Sequence, residues 1–159
     1  MPYIIDGHNL IPKIPGLALD AVDDEAQLIV LLQDYCRLAR KEAEVFFDNA
    51  PAGQPRARNF GLVIARFIRQ GTTADEAIRR RLGRLEREAR NWTVVSSDLE
   101  VQAAARAARA HFISSEAFAA QIRQTLDESA ADEGERPEAE VNSEELDDWL
   151  KLFGAEGEK

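Results

Sequence analysis

Three aspartates each end a short, largely apolar run of strand length: Asp6 after residues 3–5, Asp48 after residues 45–47 and Asp98 after residues 92–97. Gly7 follows the first aspartate and is expected to let the backbone turn sharply there. Open α/β sheets place their chemistry at the carboxyl ends of buried strands. One such aspartate is an ordinary turn residue, whereas three at the same edge of a sheet predict a site for a hard cation.

The elements that must position these aspartates alternate between strands and helices, which is typical of a largely parallel sheet. Predicted strands cover residues 2–6, 44–48, 61–67, 92–97 and 111–113. Predicted helices cover residues 20–42, 73–90, 98–110 and 114–128. Residues 49–59 contain Pro and Gly turn signals and are expected to form a loop. Because parallel strands point the same way, the three aspartates are expected to meet at one edge.

The helix predicted at residue 73 brings further acids to that edge. Residues 73–76 have the Thr-x-x-Glu spacing of a capping box, and this helix follows the carboxyl end of the third strand. Asp75, and with it Glu76, is therefore expected near the other aspartates. Mg²⁺ and Mn²⁺ are held by such carboxylates, and a bound ion can activate water and neutralise a phosphodiester in its transition state.

Each candidate also has a purely structural interpretation. Asp98 could be the N-cap of the next helix, and Glu76 could serve the capping box alone. Asp48 stands before a proline-containing turn and could be a turn residue. His8 fits an ordinary turn histidine better than a ligand. Asn9 could hydrogen-bond a phosphate oxygen, a water or a neighbouring carboxylate.

The charge of the chain is divided unevenly. The net charge is −9, but residues 127–159 hold 13 of the 29 acidic and 3 of the 20 basic residues. Residues 56–90 instead contain ten Arg against four acidic residues. This stretch predicts contacts with the phosphates of a nucleic acid, for which Arg56, Arg58, Arg80 and Arg84 are the candidates. The alternative is that these arginines form a solvated helix face.

The order of these motifs resembles the NYN domains of the PIN-like ribonuclease superfamily, and within them the YacP-like group. The resemblance covers about residues 2–128 and is carried by Tyr-Ile-Ile-Asp-Gly-His-Asn-Leu at 3–10, Thr-Ala-Asp-Glu at 73–76 and Val-Val-Ser-Ser-Asp at 94–98. It implies a three-layer α/β fold with a central parallel sheet, in which the five predicted strands have the order 3-2-1-4-5.

The resemblance also implies an endoribonuclease that depends on Mg²⁺ or Mn²⁺, and it makes mRNA on ribosomes a candidate substrate. Asp6, Asp75 and Asp98 would be the catalytic metal ligands, and Asn9 and Ser97 would support them. Asp48 and Glu76 are further supporting candidates, although the Asn after Asp48 departs from the family pattern. The alternative function is an RNA-binding adaptor that keeps the fold without cleaving.

The C-terminal part of the chain is expected to differ from the domain that precedes it. Residues 129–142 have almost nothing to bury and are expected to form an acidic, disordered linker. Residues 143–153 place Leu146, Trp149, Leu150 and Phe153 on one face of a short helix within an acidic tail. Cys36 falls in an apolar helical pattern and is expected to be buried. The chain has no apolar run of membrane-spanning length, so a soluble, cytoplasmic protein is expected.

Overall fold

The computed structural model describes residues 1–17, 23–51, 53 and 55–133. Within these ranges the chain forms a six-stranded sheet with helices on both faces. The strands are β1 (Tyr3–Asp6), β2 (Ala43–Ala50), β3 (Ala57–Phe60), β4 (Val63–Arg69), β5 (Thr93–Val95) and β6 (His111–Ile113). The helices are α1 (Gly7–Leu10), α2 (Asp24–Ala39), α3 (Ala74–Leu85), α4 (Leu99–Ala107) and α5 (Ser115–Glu133). Short 3₁₀ helices cover Ile11–Lys13 and Glu86–Asn91.

The strand order is β3-β4-β2-β1-β5-β6, and every pair is parallel except β3 with β4. The α/β fold and the order predicted for the five parallel strands are confirmed. The prediction of a loop over residues 49–59 is wrong at both ends, because β2 continues to Ala50 and β3 is a strand. Gly61, with a φ of +81°, turns the chain so that β3 pairs back onto β4.

Alternating residues of the central strands fill the two faces of the sheet. Ile5 and Phe47 point into the core beneath α2 and α5, where Leu28 and Phe118 are fully buried. Residues of the opposite parity pack beneath α3 and α4. These are Ile4, Phe46 and Val94, together with Ile78, Leu82 and Val101. Burial on both faces leaves the edges and strand ends of the sheet as the places for chemistry.

Several helix limits differ from those predicted. Gly7 begins α1 directly after β1, so the backbone enters a helical turn there in place of the sharp glycine turn that was expected. Helix α5 continues to Glu133, five residues beyond its predicted end and into the predicted linker. The rest of that linker, the predicted helix at 143–153 and the first residues of the helix predicted at 20–42 lie outside the described residues. Cys36 is fully buried, as predicted.

No helix in the part of the chain that the structure describes is long and apolar enough to cross a membrane.

Candidate active site

Asp6 lies at the carboxyl end of β1 and is 9% exposed. Its Oδ2 accepts a hydrogen bond of 3.2 Å from the hydroxyl of Ser96, which follows the neighbouring strand β5. Burial raises the pKa of Asp6 to about 6 against the opposing effect of that hydrogen bond. The charges of Asp48 and Asp98 raise it further, so the structure brings all three predicted strand-end aspartates within electrostatic reach.

Asp98 is tied to the same serine and also caps α4. Its backbone N–H donates to Ser96 Oγ over 3.0 Å, and its Oδ1 accepts the N–H of Glu100 over 2.8 Å. The structural interpretation of Asp98 as an N-cap is therefore correct. The cap leaves its second oxygen, Oδ2, without a hydrogen bond from the described residues, so capping and ligation are compatible at this position.

Asp75 reaches the site from the first turn of α3. Burial raises its pKa, Arg79 opposes this, and the charge of Asp98 raises it further. Its Oδ1 is 3.3 Å from Nε of Arg79, but this buried oxygen accepts no hydrogen bond. A buried carboxylate oxygen without a hydrogen bond is costly unless a positive charge offsets it, and Arg79 provides such a charge here. Glu76 instead completes the capping box with Thr73, as its structural interpretation predicted.

The donor set at this edge suits a hard divalent cation, because it consists of carboxylate oxygens, and Oδ1 of Asp75 among them has no hydrogen bond. The side chains nevertheless stand apart. Among residues 1–17, 23–51, 53 and 55–133, no three His, Cys, Asp or Glu side chains are close enough to hold a metal ion. The fold thus gathers Asp6, Asp75 and Asp98 at one edge without placing them in a coordination geometry.

His8, which the sequence interpretation set aside, is held between two carboxylates. Its Nδ1 is 2.8 Å from Asp48 Oδ1, and its Nε2 is 2.7 Å from Glu25 Oε2 on α2. Hydrogen bonding to Glu25 raises the pKa of His8 to about 9, with Asp48 adding to the effect and burial opposing it. Asp48 therefore lies within β2 as the partner of an imidazolium, and its interpretation as a turn residue is wrong.

We expect this pairing to make stability depend on pH in the absence of metal. A pKa raised from 6.5 to about 9 on folding stabilises the protein fully below pH 6.5, and this contribution is lost as the pH rises through 9. Thermal melts in EDTA should show the melting temperature falling over that range, and His8→Gln should flatten the fall. His111→Gln, at an exposed position on β6, is the matched control and should retain it. An unchanged slope in His8→Gln would contradict the pairing.

The side-chain oxygen of Asn9 joins three segments of the chain and does not point at the aspartates. Its Oδ1 accepts the N–H of Ser97 over 2.8 Å and the hydroxyl of Ser115 over 2.6 Å. The Ser97 hydroxyl in turn donates to Glu116 and accepts the N–H of Ser115. Asn9 and Ser97 thus fix α1 and the end of β5 against the start of α5. The Asn9 amide NH₂ has no hydrogen-bond partner among the described residues and is available to a ligand.

The predicted basic residues separate into two groups. A groove of about 520 Å³ between β4 and α3 is lined by six arginines, and we call it the arginine groove. Its arginines are Arg56, Arg66, Arg69, Arg80, Arg81 and Arg84. Three of the four predicted RNA-binding residues are among them. The fourth, Arg58, lies outside the groove with its guanidinium 5.2 Å from the ring centre of Phe60.

Comparison with known proteins agrees with this architecture. The sequence profile of the YacP-like NYN domain matches residues 3–153, which extends the resemblance well beyond residue 128 and into the acidic tail. The crystal structure of Rae1 (YacP) from Bacillus subtilis superposes with a TM-score of 0.70 at 22% identity, covering 96% of this chain and 94% of that one. A tryptophan-to-leucine mutant of Rae1 gives a TM-score of 0.67 at 25% identity, with 96% and 91% covered.

No curated protein matches the chain. The profile match spans nearly all of the sequence, and the superposed structures share its three-layer fold. That fold is PIN-like, an architecture typical of nucleases. The chain is therefore a member of the YacP-like NYN domain family.

Proposed function

We propose that this protein is a metal-dependent endoribonuclease that hydrolyses phosphodiester bonds of RNA. The observation that carries the proposal is that Asp98 interacts electrostatically with both Asp6 and Asp75, although the three residues come from separate segments. Carboxylates that repel a shared neighbour at one sheet edge cost stability unless a cation offsets their charge. The family resemblance makes mRNA on ribosomes the first natural substrate to examine.

In this proposal Asp6, Asp75 and Asp98 hold Mg²⁺ or Mn²⁺ and are the catalytic residues. A bound cation of this kind makes water a better nucleophile and neutralises charge on the phosphodiester. Ser96 Oγ donates to the Asp6 carboxylate and accepts the backbone N–H of Asp98, which ties the Asp6 side chain to the start of α4. Asn9 presents its free amide NH₂ to a phosphate oxygen of the substrate.

Three further candidates act through these residues. Ser97 holds Asn9 in place through its backbone N–H. Asp48 keeps the imidazolium of His8 beside the site; the charge of His8 lowers the pKa of Asp6, while the charge of Asp48 raises it. Glu76 fixes the first turn of α3, and with it the neighbouring Asp75. Arg56, Arg58, Arg80 and Arg84 supply the positive charge that attracts RNA.

The metal site can be tested without any substrate. We expect millimolar Mg²⁺ or Mn²⁺ to raise the melting temperature of the wild type. At a metal concentration 100 times the dissociation constant, the free energy of unfolding should rise by about 2.7 kcal/mol. Asp98→Asn should melt higher than the wild type in EDTA, because it removes a repelling charge and keeps the cap, and should gain much less from metal. Asp34→Asn, at a surface position of α2, is the control and should respond like the wild type. Equal shifts in all three proteins would exclude Asp98 from a metal site.

The second candidate function is the RNA-binding adaptor, which the arginine groove would support equally well. Incubation of an end-labelled RNA with the protein in Mn²⁺ and in EDTA separates the two. Internal cleavage products that require metal support the nuclease. RNA binding without cleavage products, whether in Mn²⁺, in Mg²⁺ or in the presence of translating ribosomes, would favour the adaptor.

A further inference from the structure

The arginine groove is built around a buried carboxylate that no functional role yet explains. Glu44 lies in β2 with 5% exposure. Arg81 binds it with two hydrogen bonds, Nε to Oε1 over 2.8 Å and Nη2 to Oε2 over 2.7 Å, and Arg66 Nε reaches Oε1 over 3.0 Å. Burial would raise the pKa of Glu44, but the two guanidinium groups more than offset it and lower the pKa. Glu44 is therefore ionised and holds both arginines in fixed positions.

Arg81 is held from a second side. Its guanidinium lies 5.2 Å from the ring centre of Trp92, in the arrangement of a cation–π contact. Two of the six groove arginines are thus ordered before any ligand arrives, which reduces the entropy lost on binding. The two arginines are therefore held in place by the fold, whereas the side chains of an ordinary solvated helix face are flexible.

The other side of the groove carries arginines whose charges are not paired with acidic residues in the described ranges. Arg56, Arg80 and Arg84 make no ion pair with any residue in the described ranges. Arg80 and Arg84 are one turn apart on α3, so their side chains extend from the same face of the helix. Glu44 neutralises one of the six positive charges, and the groove keeps a strong positive potential that suits a chain of phosphates.

Among its lining residues, the groove offers charge but no exposed aromatic ring on which bases could stack. Phe46 and Phe67 line it, yet they are only 2% and 5% exposed. Proteins that read single-stranded RNA through its bases use exposed aromatic rings as platforms. Contacts here are therefore expected mainly with phosphates and sugars, which position a nucleic acid without reading its sequence.

The groove also lies beside the candidate active site. Thr72 lines it at the connection between β4 and α3, three residues before Asp75. Asp75 and Arg79 face α4 through the ion pair of Arg79 with Glu100, whereas Arg80 and Arg84 face β4 across the groove. The two sites occupy opposite flanks of one helix and meet at its first turn. Arg84 lies about 13 Å along α3 from Asp75.

We propose that the arginine groove binds the sugar–phosphate backbone of the RNA strand next to the scissile bond, without recognition of bases. The proposal rests on RNA being the substrate, as proposed above, and adds the path that the strand takes. Arg80 and Arg84 contact phosphates directly, while Glu44 and Trp92 position Arg66 and Arg81.

The test is RNA binding in EDTA, where metal-dependent cleavage does not interfere. Binding is measured by fluorescence anisotropy at a series of salt concentrations. We expect R80E/R84E to weaken binding by on the order of tenfold or more, and to reduce the salt slope by about 1.4 if both phosphate contacts to a single strand are lost. Labelled oligo-U and oligo-A of equal length should lose affinity to the same degree.

The matched control is R87E/R90E. It reverses two charges in the same arginine-rich stretch, but at residues that line a separate pocket with Arg109. We expect this control to retain most of the wild-type affinity and slope. R80Q/R84Q tests the same contacts with a smaller change in charge, and circular dichroism melts check that all variants fold.

Three results would overturn the groove proposal: an unchanged salt slope in R80E/R84E, an equal loss in R87E/R90E, or a loss confined to one base. Cleavage reports separately on the proposed function. If the protein cleaves RNA but R80E/R84E binds and cleaves normally, the groove proposal fails and the nuclease stands. If R80E/R84E alone loses binding and no variant cleaves, the groove stands and the nuclease fails.

Discussion

Asp6→Asn should reduce cleavage of RNA by at least about 1,000-fold, which corresponds to about 4 kcal/mol of transition-state stabilisation. Asparagine fills the same space but has no charge with which to hold a cation, and metal-assisted hydrolysis depends on that charge. The variant should remain folded and melt no lower than the wild type in EDTA, because burial already disfavours the Asp6 carboxylate. RNA binding in EDTA should change little.

The same measurement on Asp98→Asn should give a loss of similar size, since the amide keeps the α4 cap and removes the ligand. Asp34→Asn provides the control for the chemical change itself, because within the described part of the chain the only ion pair of Asp34 is with the exposed Arg37. Initial rates at saturating RNA would be compared for the three variants. Near wild-type rates in Asp6→Asn or Asp98→Asn would remove that residue from the catalytic set.

Gly7→Ala should produce the largest loss of stability from a single methyl group. A Cβ at this position would lie 2.5 and 2.6 Å from Cε1 and Cδ1 of Phe47, and 2.9 Å from the carbonyl oxygen of Phe46. Phe47 is fully buried and stacks on Phe67 with ring centres 5.8 Å apart, so it has little room to move. Overpacking of this kind costs about 1–3 kcal/mol.

Gly83→Ala is the matched control and should change stability in the opposite direction. Gly83 is exposed on α3, and an added Cβ would meet nothing within 4 Å. Alanine is the better helix former by about 1 kcal/mol in an exposed helix interior. Urea titrations of both variants would measure the two free energies of unfolding. Destabilisation of Gly83→Ala, or a neutral Gly7→Ala, would contradict this account of the two glycines.

The outcome for Gly7 illustrates what the sequence could not provide. A glycine after a strand-end aspartate suggested that backbone freedom was needed. The residue is instead helical, and glycine is required because a side chain would collide with Phe47. The two residues are 40 positions apart, and no local pattern reports such an approach. The strand β3 was missed for a related reason, because three of its four residues are exposed and leave no alternation of apolar and polar residues to detect.

The pairing of His8 with Asp48 and Glu25 was equally inaccessible to sequence reasoning. The three residues come from α1, β2 and α2, and their contact depends on how these elements pack. The ten arginines of residues 56–90 likewise looked equivalent along the chain. Tertiary structure placed Arg80 and Arg84 in the arginine groove, tied Arg66 and Arg81 to Glu44, and sent Arg87 and Arg90 to a different pocket.

The sequence by itself determined the parallel sheet and the capping box at Thr73, and it predicted that Asp6, Asp75 and Asp98 meet at one edge. The strand order came from the family resemblance. These features follow from local signals and from one rule of topology, because parallel strands deliver their carboxyl ends to the same side. Packing, charge pairing and available space join residues far apart in the chain. Only the tertiary structure could decide those, since they depend on distances that no sequence pattern encodes.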